Sequence, residues 1–75
     1  MKNQMRVMDG SGDTKVEWDS DNRDETKVAR DTFDKLTKKG YKGFRMKDNG
    51  KTGQPLDDFD PDAEKIIMVA PIAGG

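Results

Sequence analysis

The sequence predicts a small α+β domain in the order strand, strand, helix, strand, strand (ββαββ), with one helix packed across a four-stranded mixed sheet. Three observations carry this expectation. Apolar residues alternate at period two in two segments near the start and in one past the midpoint, which is the strand signal. A polar segment between them keeps a single apolar stripe at helical spacing. The chain then closes on a continuous apolar run that ends at a proline.

Seventy-five residues leave room for one core only. A domain of this size buries about 60% of its unfolded surface, so its stability is marginal. A hydrophobic content of 31% would suit a disordered chain. Fourteen basic residues against 15 acidic ones, for a net charge of −1, argue for folding instead, as does the periodic grouping of the apolar positions.

The first two strands read as a hairpin. Met5 and Val7 alternate with Gln4, Arg6 and Met8, and Val16 and Trp18 alternate with Lys15, Glu17 and Asp19. Between them, "DGSGD" supplies glycines for a reversal. The helix follows over "DSDNRDETKVARDTFDKLTKKGY", with both ends marked. Asn22 or Asp21 can cap it, and Asn22 with Glu25 fits a capping box. Asp24 and Glu25 suit the positive end of the helix dipole, and Lys38 and Lys39 the negative end. Gly40 is the expected left-handed stop. Val28, Ala29, Thr32, Phe33 and Leu36 form the stripe that should face the sheet.

"YKGFRMK" alternates again, with Phe44 and Met46 pointing one way and Lys42 sharing their parity. "DNGKTG" is expected to turn, and "QPLDDFDPDAE" to form an acidic loop with Leu56 and Phe59 tucked inward. "KIIMVAP" closes the chain. A run apolar at every position implies burial on both faces, which places this strand in the middle of the sheet beside the first.

The composition excludes several chemistries. With no cysteine there is no disulfide scaffold or thiol nucleophile, and with no histidine there is no imidazole base or triad. Ser11 and Ser20 lie in polar, turn-like stretches. No apolar run reaches the roughly 18 residues of a membrane span, and "MKNQMRVMDG" lacks a signal peptide's apolar segment, so the expected location is the cytoplasm. Near-neutral balance speaks against generic nucleic-acid or membrane-surface binding.

Two acidic stretches fail as calcium loops. In "DSDNRDE" the fifth loop position is Arg23 and the twelfth Arg30, and in "DFDPDAEKIIMV" Ala63 stands for the required glycine and Val69 for the final glutamate. The basic stretch around Tyr41 and Phe44 could hold single-stranded nucleic acid, but a charged helix end followed by a half-buried strand accounts for it better. "DGSGD" lacks the lysine and hydroxyl pair of a P-loop and reads as a hairpin loop.

The ending carries a resemblance. "PLDDFDPDAEKIIMVAPIAGG" resembles the close of the ubiquitin-like sulfur carriers of the thiamin and molybdopterin pathways. The matching features are Pro55 and Leu56, the acidic Asp57 to Glu64, the strand Ile66 to Val69, and then Pro71, Ile72, Ala73, Gly74 and Gly75. The acidic stretch is longer here than in those carriers. Outside residues 55–75 the likeness is one of element order alone.

The resemblance implies a ubiquitin-like β-grasp domain over residues 1–71 and a flexible diglycine tail over 72–75. It also implies a protein that is not itself an enzyme and binds no cofactor or metal. A partner adenylating enzyme would use ATP to activate the Gly75 carboxylate, for sulfur transfer or for conjugation. Gly74 would be its slim neighbour, since a residue without Cβ fits a channel that touches main chain. A sulfurtransferase or target-protein lysines would be the further partners, with no membrane involved. Pro71 would stiffen the strand end and lower the entropy lost on capture. Phe44, Met46, Ile66 and Met68, with Pro71, Ile72 and Ala73, are the candidate partner contacts. The alternative function is a small non-catalytic binding module, of the phage or plasmid accessory type, with no role for the tail.

Overall fold

The computed structural model describes residues 2–9, 12–47 and 52–71. Gly10 and Ser11 of the expected hairpin loop, and residues 48–51 of the expected "DNGKTG" turn, lie outside the described residues. The elements are β1 (Lys2–Asp9), β2 (Gly12–Asp19), α1 (Arg23–Lys38), β3 (Lys42–Lys47), β4 (Thr52–Leu56) and β5 (Lys65–Val69). They form one α+β unit, a mixed sheet in the order β2-β1-β5-β3-β4 with α1 on one face. β1 pairs antiparallel with β2 and parallel with β5, while β3 pairs antiparallel with both β5 and β4. The last strand therefore lies in the middle, beside the first, as its apolar run requires.

The described sheet has five strands rather than the expected four. The extra one, β4, takes in "TGQPL", which spans the end of the expected turn and the start of the expected loop. Its sequence has no period of its own, and Pro55 cannot donate to a ladder, so it forms as an edge strand held by β3.

Parity sorts each strand between two faces. Met5, Val7, Trp18, Ile66 and Met68 face the helix and meet Ala29, Phe33 and Ala63 in one core. The helix seats Ala29, Phe33 and, partly, Leu36 on the sheet, a spacing of four and then three residues. Val28, expected in that stripe, is 62% exposed because it lies about 100° round from Ala29. β3 passes so close beneath the helix that a β-carbon on Gly43 would stand 2.7 Å from Phe33 Cε2 and 2.9 Å from Met68 Sδ.

Both helix ends are capped by local chemistry. The Asn22 side chain accepts from the N–H groups of Asp24 and Glu25 at 3.0 and 3.1 Å. Glu25 does not close the expected box. Its Oε1 instead accepts from the Asp19 N–H at 2.9 Å and from Lys2 Nζ at 3.0 Å, tying the helix start to the ends of β2 and β1. At the far end, Gly40 N–H donates to Thr37 O and Tyr41 N–H to Leu36 O, with Gly40 at φ +98. That is a Schellman stop.

The acidic segment between β4 and β5 is ordered by the core rather than by its charges. Phe59 places its ring 5.1 Å from Trp18 and 5.8 Å from Phe33. The Trp18 indole N–H donates to Pro61 O at 3.1 Å, and the buried Asn3 amide donates to Ala63 O at 2.7 Å. Arg45 and Asp60 pair at 3.1 Å, and Asp60 also accepts from the Asp62 N–H. No helix among the described residues is long and apolar enough to cross a membrane.

Candidate functional site

The candidate site is built around the end of β5. A central strand flanked on both sides by hydrogen-bonded neighbours is held rigidly, so whatever follows it starts from a fixed point. The ladder extends one residue past the strand, where the Ala70 N–H donates to Met8 O at 3.1 Å. Pro71 has no N–H with which to continue. It rests on the helix stop instead, where a β-carbon on Gly40 would lie 3.4 Å from Pro71 Cβ. Ile72, Ala73, Gly74 and Gly75, the expected tail, lie outside the described residues.

Beside this point, the sheet face away from the helix carries an apolar patch. The register sets Lys42, Val69 and Met8 in one row across β3, β5 and β1. It sets Phe44, Ile67 and Arg6 in the next, with Pro55 beside Phe44 on β4. Met8 is 41% and Val69 42% exposed, and Ile67, Phe44 and Met46 are half-buried. Met46 bends over β4, since a β-carbon on Gly53 would lie 3.3 Å from its sulfur. Lys42, Arg6 and Lys65 share this face, so the patch is framed by positive charge. Tyr41, Phe44, Pro55 and Leu56 also line an open groove of about 370 Å³ next to it.

This arrangement corrects the expected contact set. Phe44 and Met46 lie on the open face, Phe44 level with Ile67 and Met46 towards the start of β5, but Ile66 and Met68 do not join them. Both are completely buried against the helix, opposite Met5 and Val7, and present no surface to a partner. Their odd-numbered neighbours Ile67 and Val69 take that place. A continuous apolar run hides its own parity, so "KIIMV" alone does not say which residues turn inward. It was also expected to be buried on both faces, and Val69 shows that its outer face is partly open. Met8, which shares parity with Gln4 and Arg6, carried the one readable sign that an apolar residue faces outward.

Compared with protein-family models, with curated proteins and with solved structures, the chain matches none.

Proposed function

We propose that this protein is a ubiquitin-like β-grasp carrier or modifier whose Gly75 carboxylate is adenylated by an activating enzyme. The observation that carries the reading is the position of β5. The C-terminal strand is central, parallel to β1, and delivers Pro71 to a fixed seat on Gly40 immediately before the segment that ends in Gly74 and Gly75. The strand order around a single packed helix supports a β-grasp arrangement, with β4 as an added edge strand.

The chemistry assigned to the tail balances without any catalytic side chain in this protein. The Gly75 carboxylate attacks the α-phosphate of ATP, forming an acyl–adenylate and releasing pyrophosphate. A sulfur nucleophile then displaces AMP, giving a thiocarboxylate or a partner-bound thioester. A lysine amine on a target could displace the thiol in turn and form an isopeptide bond. The activating enzyme supplies acid–base catalysis and metal, and this chain supplies a slim, side-chain-free end.

The open face is the docking surface in this reading. Met8, Val69, Ile67, Phe44 and Met46 offer apolar anchors, and Lys42 and Lys65 select an enzyme whose facing surface is acidic.

The test is ATP–pyrophosphate exchange in extract of the native cell, supplemented with this protein. Exchange is expected to rise with the full chain. It should be lost when Gly74 and Gly75 are deleted, and should fall at least about tenfold for Val69→Asp, which sets a charge on the docking face, with circular dichroism checking that the variant is folded. Stimulation that survives the deletion would overturn the reading.

A further inference from the structure

The sheet has two edges, and they are built differently. β4 is five residues long, with Gly53 in it and Pro55 lacking an N–H, which makes it a poor template for further pairing. β2 runs eight residues in unbroken register with β1, from Asp19 opposite Lys2 to Gly12 opposite Asp9, with neither proline nor bulge. Which of its backbone groups are spare follows from β1. The Gln4 N–H reaches Glu64 O and Met8 O accepts from Ala70, so these residues bond towards β5, and the alternate set, Asn3, Met5 and Val7, bonds towards β2. Their partners Trp18, Val16 and Thr14 are thereby used, and Asp13, Lys15 and Glu17 turn their N–H and C=O groups outward, while those of Asp19 are taken by Glu25, Asn22 and Thr26.

We propose that two copies of this protein pair edge to edge through β2, antiparallel about a two-fold axis at Val16. In that register Lys15 of each copy faces Glu17 of the other. Both residues have outward backbone groups, so each pair closes two ladder hydrogen bonds and brings opposite charges together on one sheet face. Both side chains are exposed, and Glu17 also feels the charge of Lys2 on its own copy. Moving the axis by one residue sets Lys15 against itself or Glu17 against itself, so charge selects this register. At its rims the Asp19 N–H and C=O are already bonded to Glu25, Asn22 and Thr26, which confines the ladder to the centre. A contact this small is weak, with a dissociation constant of roughly 0.1–1 mM.

Sedimentation equilibrium from about 0.05 to 2 mM tests it, around that expected constant. The average mass of the wild type should climb from 8.4 kDa towards twice that value. Lys15→Glu and Glu17→Lys each turn two attractive pairs into repulsive ones, and each should weaken association at least about tenfold. The double exchange K15E/E17K restores the pairs and should dimerise as the wild type does. An equimolar mixture of the two single variants should associate where neither does alone. Circular dichroism confirms that each variant is folded. A wild type that stays monomeric, single variants that still self-associate, or a mixture that does not, would each overturn the proposal.

Discussion

Pro71 sits against Gly40, close enough that a β-carbon on the glycine would touch its ring at 3.4 to 3.5 Å. The contact joins the end of the central strand to the helix stop, so the two chain segments fix each other's position. Space is not what demands glycine here, because that separation is ordinary contact. The backbone is, at φ +98. Gly40→Ala is expected to lower unfolding free energy by about 1–2 kcal/mol while leaving the fold intact. Gly40→Asn should cost less, because asparagine tolerates positive φ better. Urea denaturation of the three proteins gives the comparison.

At Gly43 the demand is the reverse. The limit is room, since a methyl group there would come within 3.0 Å of both Phe33 and Met68. Because Phe33 is fully buried beneath the helix, its ring has nowhere to retreat. Gly43→Ala should cost about 1–3 kcal/mol by overpacking. That lowers the thermal midpoint by about 4–8 °C per kcal/mol for a domain of this size.

Phe59 is expected to be the residue that makes the acidic segment part of the fold. Its ring bridges Trp18 and Phe33, and the carbonyls that follow it receive Trp18 and Asn3. Phe59→Ala should lose about 2–4 kcal/mol and shift Trp18 fluorescence to the red as water reaches the indole. The exposed Asp58, one residue away, should change stability by no more than about 0.5 kcal/mol on replacement by alanine.

Glu25 sets a pH dependence. The hydrogen bond from Lys2, then that from the Asp19 N–H, hold its carboxyl below the ordinary value, and the same contact raises Lys2. A depressed carboxyl stabilises the fold fully above its unfolded pKa, about 4.3, and the effect is lost as pH falls through the folded value. Lys2 contributes below its unfolded pKa, about 10.4, and its share is lost as pH rises through the raised one. Glu25→Gln should therefore be less stable than the wild type at pH 7, with the two urea midpoints converging on acidification. Parallel curves down to about pH 3 would contradict this.

Much of this fold is legible in the residues themselves. The alternation of Met5 and Val7 with Gln4 and Arg6, and of Val16 and Trp18 with Lys15 and Glu17, corresponds to the observed inward and outward faces. Asn22 and Gly40 mark the helix ends as side-chain and backbone chemistry require. β4 is not legible, because "TGQPL" has no period and owes its conformation to β3. The division between buried Ile66 and Met68 and open Ile67 and Val69 is hidden for a related reason. Its parity comes from the register with Met5 and Val7, a long-range pairing that no local pattern records. Glu25 illustrates the same limit, since its spacing from Asn22 suggests a closed box while Lys2 and Asp19 compete for the carboxylate.

The claim that the Gly75 carboxylate is chemically activated is tested most directly by top-down mass spectrometry of the protein recovered from its native cell. The account predicts a C-terminal fragment that carries sulfur in place of oxygen, about 16 Da heavier and localised beyond the last methionine so that methionine oxidation is excluded, or one joined to a lysine of another protein. A population in which every molecule ends in an unmodified glycine carboxylate, with no branched peptide bearing the tail, would contradict it.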